Sequence, residues 1–71
     1  MDILKWLSPI GEFDDFDQPY KDVMIDGKTK EGPWACMTQE SWDKHGIGQL
    51  GLGLGQKYEK QSNGVWLKVE G

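Results

Sequence analysis

Apolar positions follow two rhythms along this chain. In Ile3-Leu4-Lys5-Trp6-Leu7, three apolar residues fall three and four apart, and Ile10 follows one turn on. That spacing predicts a short amphipathic helix over 1–10, capped by Asp2 and stopped at Ser8-Pro9. A helix so short needs a surface to pack on. Residues 11–22 are acidic and turn-like, with Pro19 as punctuation. From Val23 the rhythm changes to that of strands. Val23 and Ile25 alternate around Met24, and Asp26-Gly27 reads as a type I′ hairpin turn. Lys28 to Lys30 then return toward Trp34-Ala35-Cys36-Met37, with pairing broken or bulged at Gly32-Pro33.

Thr38-Gln39-Glu40-Ser41-Trp42-Asp43-Lys44-His45-Gly46 predicts one or two helical turns. Thr38 is the N-cap, Glu40 and Ser41 sit in the first turn, and Gly46 is the stop. A run with five glycines over 46–55 follows, and its Ile47, Leu50, Leu52 and Leu54 are expected to fill gaps between packed elements. Asn63-Gly64 marks a second hairpin, with Val65, Leu67 and Val69 on one face of its last strand and Trp66 and Lys68 on the other. The expected architecture is a small β-rich α+β domain with two β-hairpins, an N-terminal helix and a central helix. It forms one domain over 1–71, divided into the helix at 1–10 and a body at 11–71.

Size sharpens this picture. With 71 residues, one core is the limit, and domains this small often add a disulfide or a metal. Cys36 is the single cysteine and His45 the single histidine. No intramolecular disulfide can form, and a four-ligand Cys/His zinc site cannot be assembled. Four tryptophans must carry much of the packing. The first ten residues are too short to span a bilayer and lack a cleavage signal. The reading is a cytoplasmic chain with no membrane role.

Net charge is −4, unevenly placed. Residues 1–26 hold seven acids against Lys5 and Lys21, whereas 27–71 hold six lysines against five acids. There is no arginine. An acidic N-terminal third makes nucleic acid an unlikely partner and suits a basic protein surface.

Other candidate chemistry is weak. Gly46-Ile47-Gly48-Gln49-Leu50-Gly51 has the letters of a dinucleotide fingerprint but not its strand–turn–helix setting. Asp14, Asp15 and Asp17 lack the ligand distribution of a calcium loop. Cys36 with His45 is too unspecific a pair to name a nucleophile, and Cys36 reads as a core or edge thiol. No cofactor and no enzyme activity are expected.

Two spacings remain. Phe13 and Phe16 are three apart, as are Thr38 and Ser41. The runs DVMIDGKTKEGPWACM and HGIGQLGLGLGQKYEKQ, with VWLKVEG after them, resemble small phage and prophage proteins of the zinc-ribbon type. The resemblance covers residues 13–71. In that group a C-x-x-C precedes the first run and a second C-x-x-C lies between the two. Here the first knuckle falls on Phe13 and Phe16 and the second on Thr38 and Ser41. The resemblance therefore implies a degenerate zinc-ribbon-like, rubredoxin-like knuckle fold with all four ligands gone. Phe13 and Phe16 are expected to be buried at the old metal site, under the N-terminal helix.

The resemblance also implies phage origin, and it names no activity. The favoured function is a non-catalytic protein that binds a host protein in the host cytoplasm and modulates or inhibits it. Transcription machinery, a nuclease or a defence component are the candidate targets. Asp14, Asp15 and Asp17 would meet a basic groove, with Trp34 and Trp42 as aromatic anchors. One alternative is a nucleic-acid-binding ribbon acting through Lys28, Lys30, Lys57, Lys60 and Lys68, with Trp34, Tyr58 or Trp66 stacking on bases. Another is a virion structural or assembly protein, or a homo-oligomer.

Overall fold

The computed structural model describes residues 10–71, so the helix expected over 1–10 lies outside the described residues, Ile10 apart. Four strands and one helix follow in order: β1 (Val23–Lys28), β2 (Trp34–Met37), α1 (Gln39–His45), β3 (Gly55–Lys60) and β4 (Trp66–Glu70). The strands form one antiparallel sheet in the order β2-β1-β3-β4. Two hairpins, β1–β2 and β3–β4, are thus joined side by side through β1 and β3. No helix among the described residues is long and apolar enough to cross a membrane.

The first hairpin turns later than its sequence suggests. Asp26 and Gly27 lie inside β1, paired with Cys36 and Ala35 on one side and with Gln56 and Gly55 on the other. The turn is Thr29–Pro33. There the Thr29 N–H and hydroxyl both donate to the Pro33 carbonyl, at 3.0 and 2.7 Å, and Gly32 takes a φ of 114°. Gly27 serves packing instead. A Cβ there would come within 2.7 Å of the Trp42 ring and 3.4 Å of the Gly55 Cα. The Asp-Gly pair therefore gives a close approach between strand, helix and neighbouring strand.

The second hairpin turns at Asn63-Gly64, as its sequence predicts. Gly64 has a φ of 85°, and the Gln61 N–H donates to the Val65 carbonyl at 2.7 Å. Beyond it the register shifts: Tyr58 pairs with Lys68 but Lys57 with Glu70, so Val69 is bulged. Leu67 and Val69 are both exposed, so the apolar side of β4 is not core.

α1 follows its end signals. The Thr38 hydroxyl oxygen accepts the Ser41 N–H at 3.1 Å, and the Gly46 N–H donates to the Trp42 carbonyl at 2.9 Å. Lys44 lies in the last turn, where a cation suits the helix dipole. Seven residues are too few for a stable isolated helix. Trp42 anchors this one: it is 6% exposed and packs with Ile25 and Met37, both fully buried. Phe16, Val23, Ala35, Ile47 and Leu50 surround that cluster. On the opposite face of the sheet, Met24 and its cross-strand partner Tyr58 are also buried.

The glycine-rich run is a loop laced to the end of β1. Lys28 N–H donates to the Leu54 carbonyl, Ile47 N–H to the Lys28 carbonyl, and Lys30 N–H to the His45 carbonyl. Ile47 and Leu50 reach the core as expected, but Leu52 stands 97% exposed at the loop tip.

Candidate functional site

Residues 12–20 form a tight turn beside β2. Tyr20 N–H donates to the Glu12 carbonyl at 2.9 Å, and Asp14 N–H to the Gln18 carbonyl at 2.8 Å. Phe13 pairs with Pro19 across the turn. Asp17 N–H donates to the Asp14 carbonyl at 3.1 Å, and Asp17 adopts a φ of 63°. Asp is among the residues that tolerate this left-handed conformation best.

Asp14 holds the turn in place. The residue is 5% exposed. Oδ1 accepts the N–H groups of Phe16 and Gln18 at 2.8 and 2.9 Å, and Oδ2 accepts the Thr38 N–H at 2.8 Å. The Ser41 side chain adds a further hydrogen bond. Burial by itself would push the carboxyl up. The bonds from Ser41, Thr38, Gln18 and Phe16 outweigh it and hold the group at about 2. Thr38 and Ser41 are themselves buried, and the Thr38 hydroxyl donates to the Ser41 oxygen at 3.2 Å. Asp14, Thr38 and Ser41 thus make one hydrogen-bonded unit between the turn and the first turn of α1. Asp14 is an internal strut and not the exposed docking charge expected from the sequence.

Asp15 and Asp17 remain at the surface, with Glu12 and Asp22. Asp15 also guards the edge of the sheet. Its N–H donates to the Cys36 carbonyl at 3.0 Å, and its Oδ2 accepts the Cys36 N–H at 2.8 Å. The outward backbone groups of Cys36, on an edge strand, are thereby occupied.

The knuckle positions divide. Phe13 is 57% exposed, so its expected burial at an old metal site is overturned. Phe16 is half-buried, packs against the core and stacks on the His45 ring, with centroids 4.1 Å apart and planes 7° apart. Phe16 and Ser41 line one small cavity of about 50 Å³, so the two turns do face each other. Among the described residues no group of three or more His, Cys, Asp or Glu side chains is placed to hold a metal ion.

The aromatic anchors divide too. Trp34 is 45% exposed on β2, but Trp42 is core and cannot present a binding surface. Its place was legible in part: Trp42 lies one turn after the N-cap, where a helix this short must find its packing residue. Of the stacking residues considered for nucleic acid, Tyr58 is buried, and Trp66 is half-buried and packs edge-to-face on Tyr20 at 6.1 Å.

Cys36 is half-buried, and burial, then the carboxylates of Asp26, Asp15 and Asp14, push its thiol up to about 11. That holds it in the protonated, unreactive form. Asp26 is pushed up by burial and by Asp15, and Tyr20 chiefly by burial.

The turn is flanked by two grooves. One, of about 400 Å³, runs between Phe13, Tyr20 and Trp66 and ends at Lys21 and Lys60. The other, of about 460 Å³, lies between Pro19, Val23 and the start of α1. Lys21 borders both and approaches Glu40 at 4.0 Å on the surface. The feature the sequence did not disclose is the fixing of this turn by Asp14. Asp is a frequent turn opener that accepts the N–H two residues on, but its bond to Thr38, 24 residues away, leaves no local signal. Comparison of the chain with protein-family models, with curated proteins and with solved structures finds no match.

Proposed function

We propose that this chain is a small, non-catalytic, phage-encoded protein that docks on a basic surface of a host protein in the host cytoplasm and modulates or inhibits it. The observation that carries the reading is the construction of the acidic turn. Asp14 spends its charge internally, with three backbone N–H groups and Ser41, and so fixes the turn. Glu12, Asp15 and Asp17 project from that fixed turn beside the exposed ring of Phe13. A rigid acidic loop with an aromatic at its base suits a basic groove on a protein, because little ordering entropy is lost on binding. The docking set is thus Phe13, Asp15 and Asp17, with Trp34 on the neighbouring strand.

The same geometry supports descent from a zinc ribbon. The turn at 13–19 and the Thr38–Ser41 turn stand together, and Asp14 ties them where a metal would join two knuckles. The four hydrogen bonds to the Asp14 carboxylate, at about 1.5–3 kcal/mol each, reach at most the lower end of the roughly 10–16 kcal/mol of a structural zinc.

The test uses Asp15→Asn with Asp17→Asn, which leaves Asp14 in place and keeps an acceptor for the Cys36 N–H. Tagged parent protein should retain a stoichiometric host protein from bacterial lysate at low salt and lose it at moderate salt. The double variant should melt like the parent and retain much less. Recovery of no host protein by the parent at low salt would end the reading.

A further inference from the structure

We infer that β4 is a self-association edge, along which a second copy of this chain adds its own β4 in antiparallel register about Leu67. The two edges of the sheet are treated differently. At β2 the outward backbone groups of Cys36 and the N–H of Thr38 are taken by Asp15 and Asp14. At β4 they are open among the described residues. Gln61 N–H donates to the Val65 carbonyl, so Val65 points toward β3, and alternation turns the N–H and C=O groups of Trp66 and Lys68 outward. No described residue bonds to those outward groups. Leu67 is 38% and Val69 48% exposed on the same strand.

The segment Val65-Trp66-Leu67-Lys68-Val69 has the same apolar pattern read in either direction. Outward groups must meet outward groups, which leaves few two-fold registers. With the axis at Leu67, Trp66 bonds to Lys68 of the second copy, and Lys68 to its Trp66. Leu67 then faces Leu67, and Val65 lies across from the bulged Val69, where the regular pairing ends. Each lysine lies across from an indole, a cation–π pairing, and the facing aliphatic pairs are covered from water. With the axis at Lys68, two lysines oppose each other, which is unfavourable. With the axis at Trp66, Lys68 lies opposite Gly64 in the turn and Val69 opposite Asn63, so the paired strand is cut short. The Leu67 axis alone matches hydrogen bonding, charge and apolar pattern. The contact is small, so it belongs with weak interfaces, with a dissociation constant of about 0.1–1 mM. This surface is separate from the acidic turn, and its salt response has the opposite sign. Each copy carries net −4, so salt screens their repulsion and favours the pair.

Sedimentation equilibrium of the full chain from micromolar to about 1 mM tests the inference, on the concentration scale of a weak pair. The weight-average mass should rise from the single-chain 8.1 kDa toward the two-chain value and stop there. Leu67→Lys puts two lysines face to face on the axis and should hold the single-chain mass with unchanged far-ultraviolet circular dichroism. Single-chain mass for the parent throughout that range overturns the inference, whether the edge then takes a strand of another protein or none. Equal association by Leu67→Lys overturns it too. If Leu67→Lys does not fold, amide exchange of the parent decides. The Trp66 and Lys68 N–H groups should become protected as concentration rises, and concentration-independent exchange at both refutes the pairing.

Discussion

Asp14 Oδ2 accepts the backbone N–H of Thr38 at 2.8 Å, joining positions 24 apart in sequence at a point where both residues are buried. One side chain thus fixes the acidic turn, ties it to the residue after β2 and supports the N-cap of α1. Replacing it leaves buried donors without acceptors, a larger penalty than the loss of any one bond. Asp14→Ala should lower stability by about 3–5 kcal/mol and Asp14→Asn by about 2–4 kcal/mol, since the amide keeps one acceptor and turns a donor toward other donors. Asp15→Asn, at an exposed position, should change it by less than about 1 kcal/mol. Urea unfolding of the three variants checks the order. Equal midpoints for Asp14→Ala and the parent would show that the strut carries no weight.

The same carboxylate makes the protein acid-sensitive in a defined window. Its folded-state value is about 2, below the ordinary 3.8, so its ionised form favours the fold at any pH above the ordinary value. That contribution, about 2 kcal/mol, fades as pH falls below about 4 and is gone below about 2. Asp26 runs the other way, because burial, then Asp15, raise it, so its protonation relieves the fold as pH falls. Comparison with Asp14→Asn separates the two. Between pH 4 and pH 2 the parent should lose about 2 kcal/mol more than the variant does. Parallel losses in both proteins would assign the acid response to other groups.

The two knuckle phenylalanines should behave differently. Phe16 is half-buried against the core and stacked on His45, so Phe16→Ala should lower stability by about 2–3 kcal/mol. Phe13 is 57% exposed, and Phe13→Ala should stay within about 0.5 kcal/mol of the parent. Thermal melts of both suffice, and a large loss from Phe13→Ala would place that ring in the core after all.

How far the sequence disclosed this depends on whether each signal is local. Thr38 and Asn63-Gly64 act through bonds within a few residues and do what their types predict, whereas Gly46 ends α1 with an extended backbone, φ −74°, and must be small because the Trp42 ring lies against it. Asp26-Gly27 carries an equally good local signal and is overruled. Gly27 must be small because Trp42 and Gly55 approach it from two other elements, and nothing near it in sequence records that. The acidic stretch misleads for a related reason. Asp14, Asp15 and Asp17 look alike by composition, yet Asp14 meets Thr38 and Ser41 while Asp17 meets solvent. Alternation in β4 marks a strand correctly, but it cannot say which face the rest of the chain will cover, and Leu67 and Val69 stay exposed.

The last prediction concerns metal. The four positions that the zinc-ribbon resemblance assigns to ligands hold Phe13, Phe16, Thr38 and Ser41. Phenylalanine offers zinc no donor, and neutral hydroxyls are poor substitutes for thiolate or imidazole. The two hydroxyls are also engaged, with Thr38 capping Ser41 and Ser41 bonded to Asp14. A metal would have to break the strut to reach them. Thermal unfolding with and without a strong chelator should therefore superimpose, and elemental analysis of purified protein should give much less than one zinc per chain. Added zinc should leave the midpoint unchanged, because a ligand that binds the folded state raises it in proportion to the logarithm of its concentration. A chelator-induced fall in the midpoint, or stoichiometric zinc, would show that the chain binds metal elsewhere. The hydrogen bonds of Asp14 would then act beside a metal site and not in place of one.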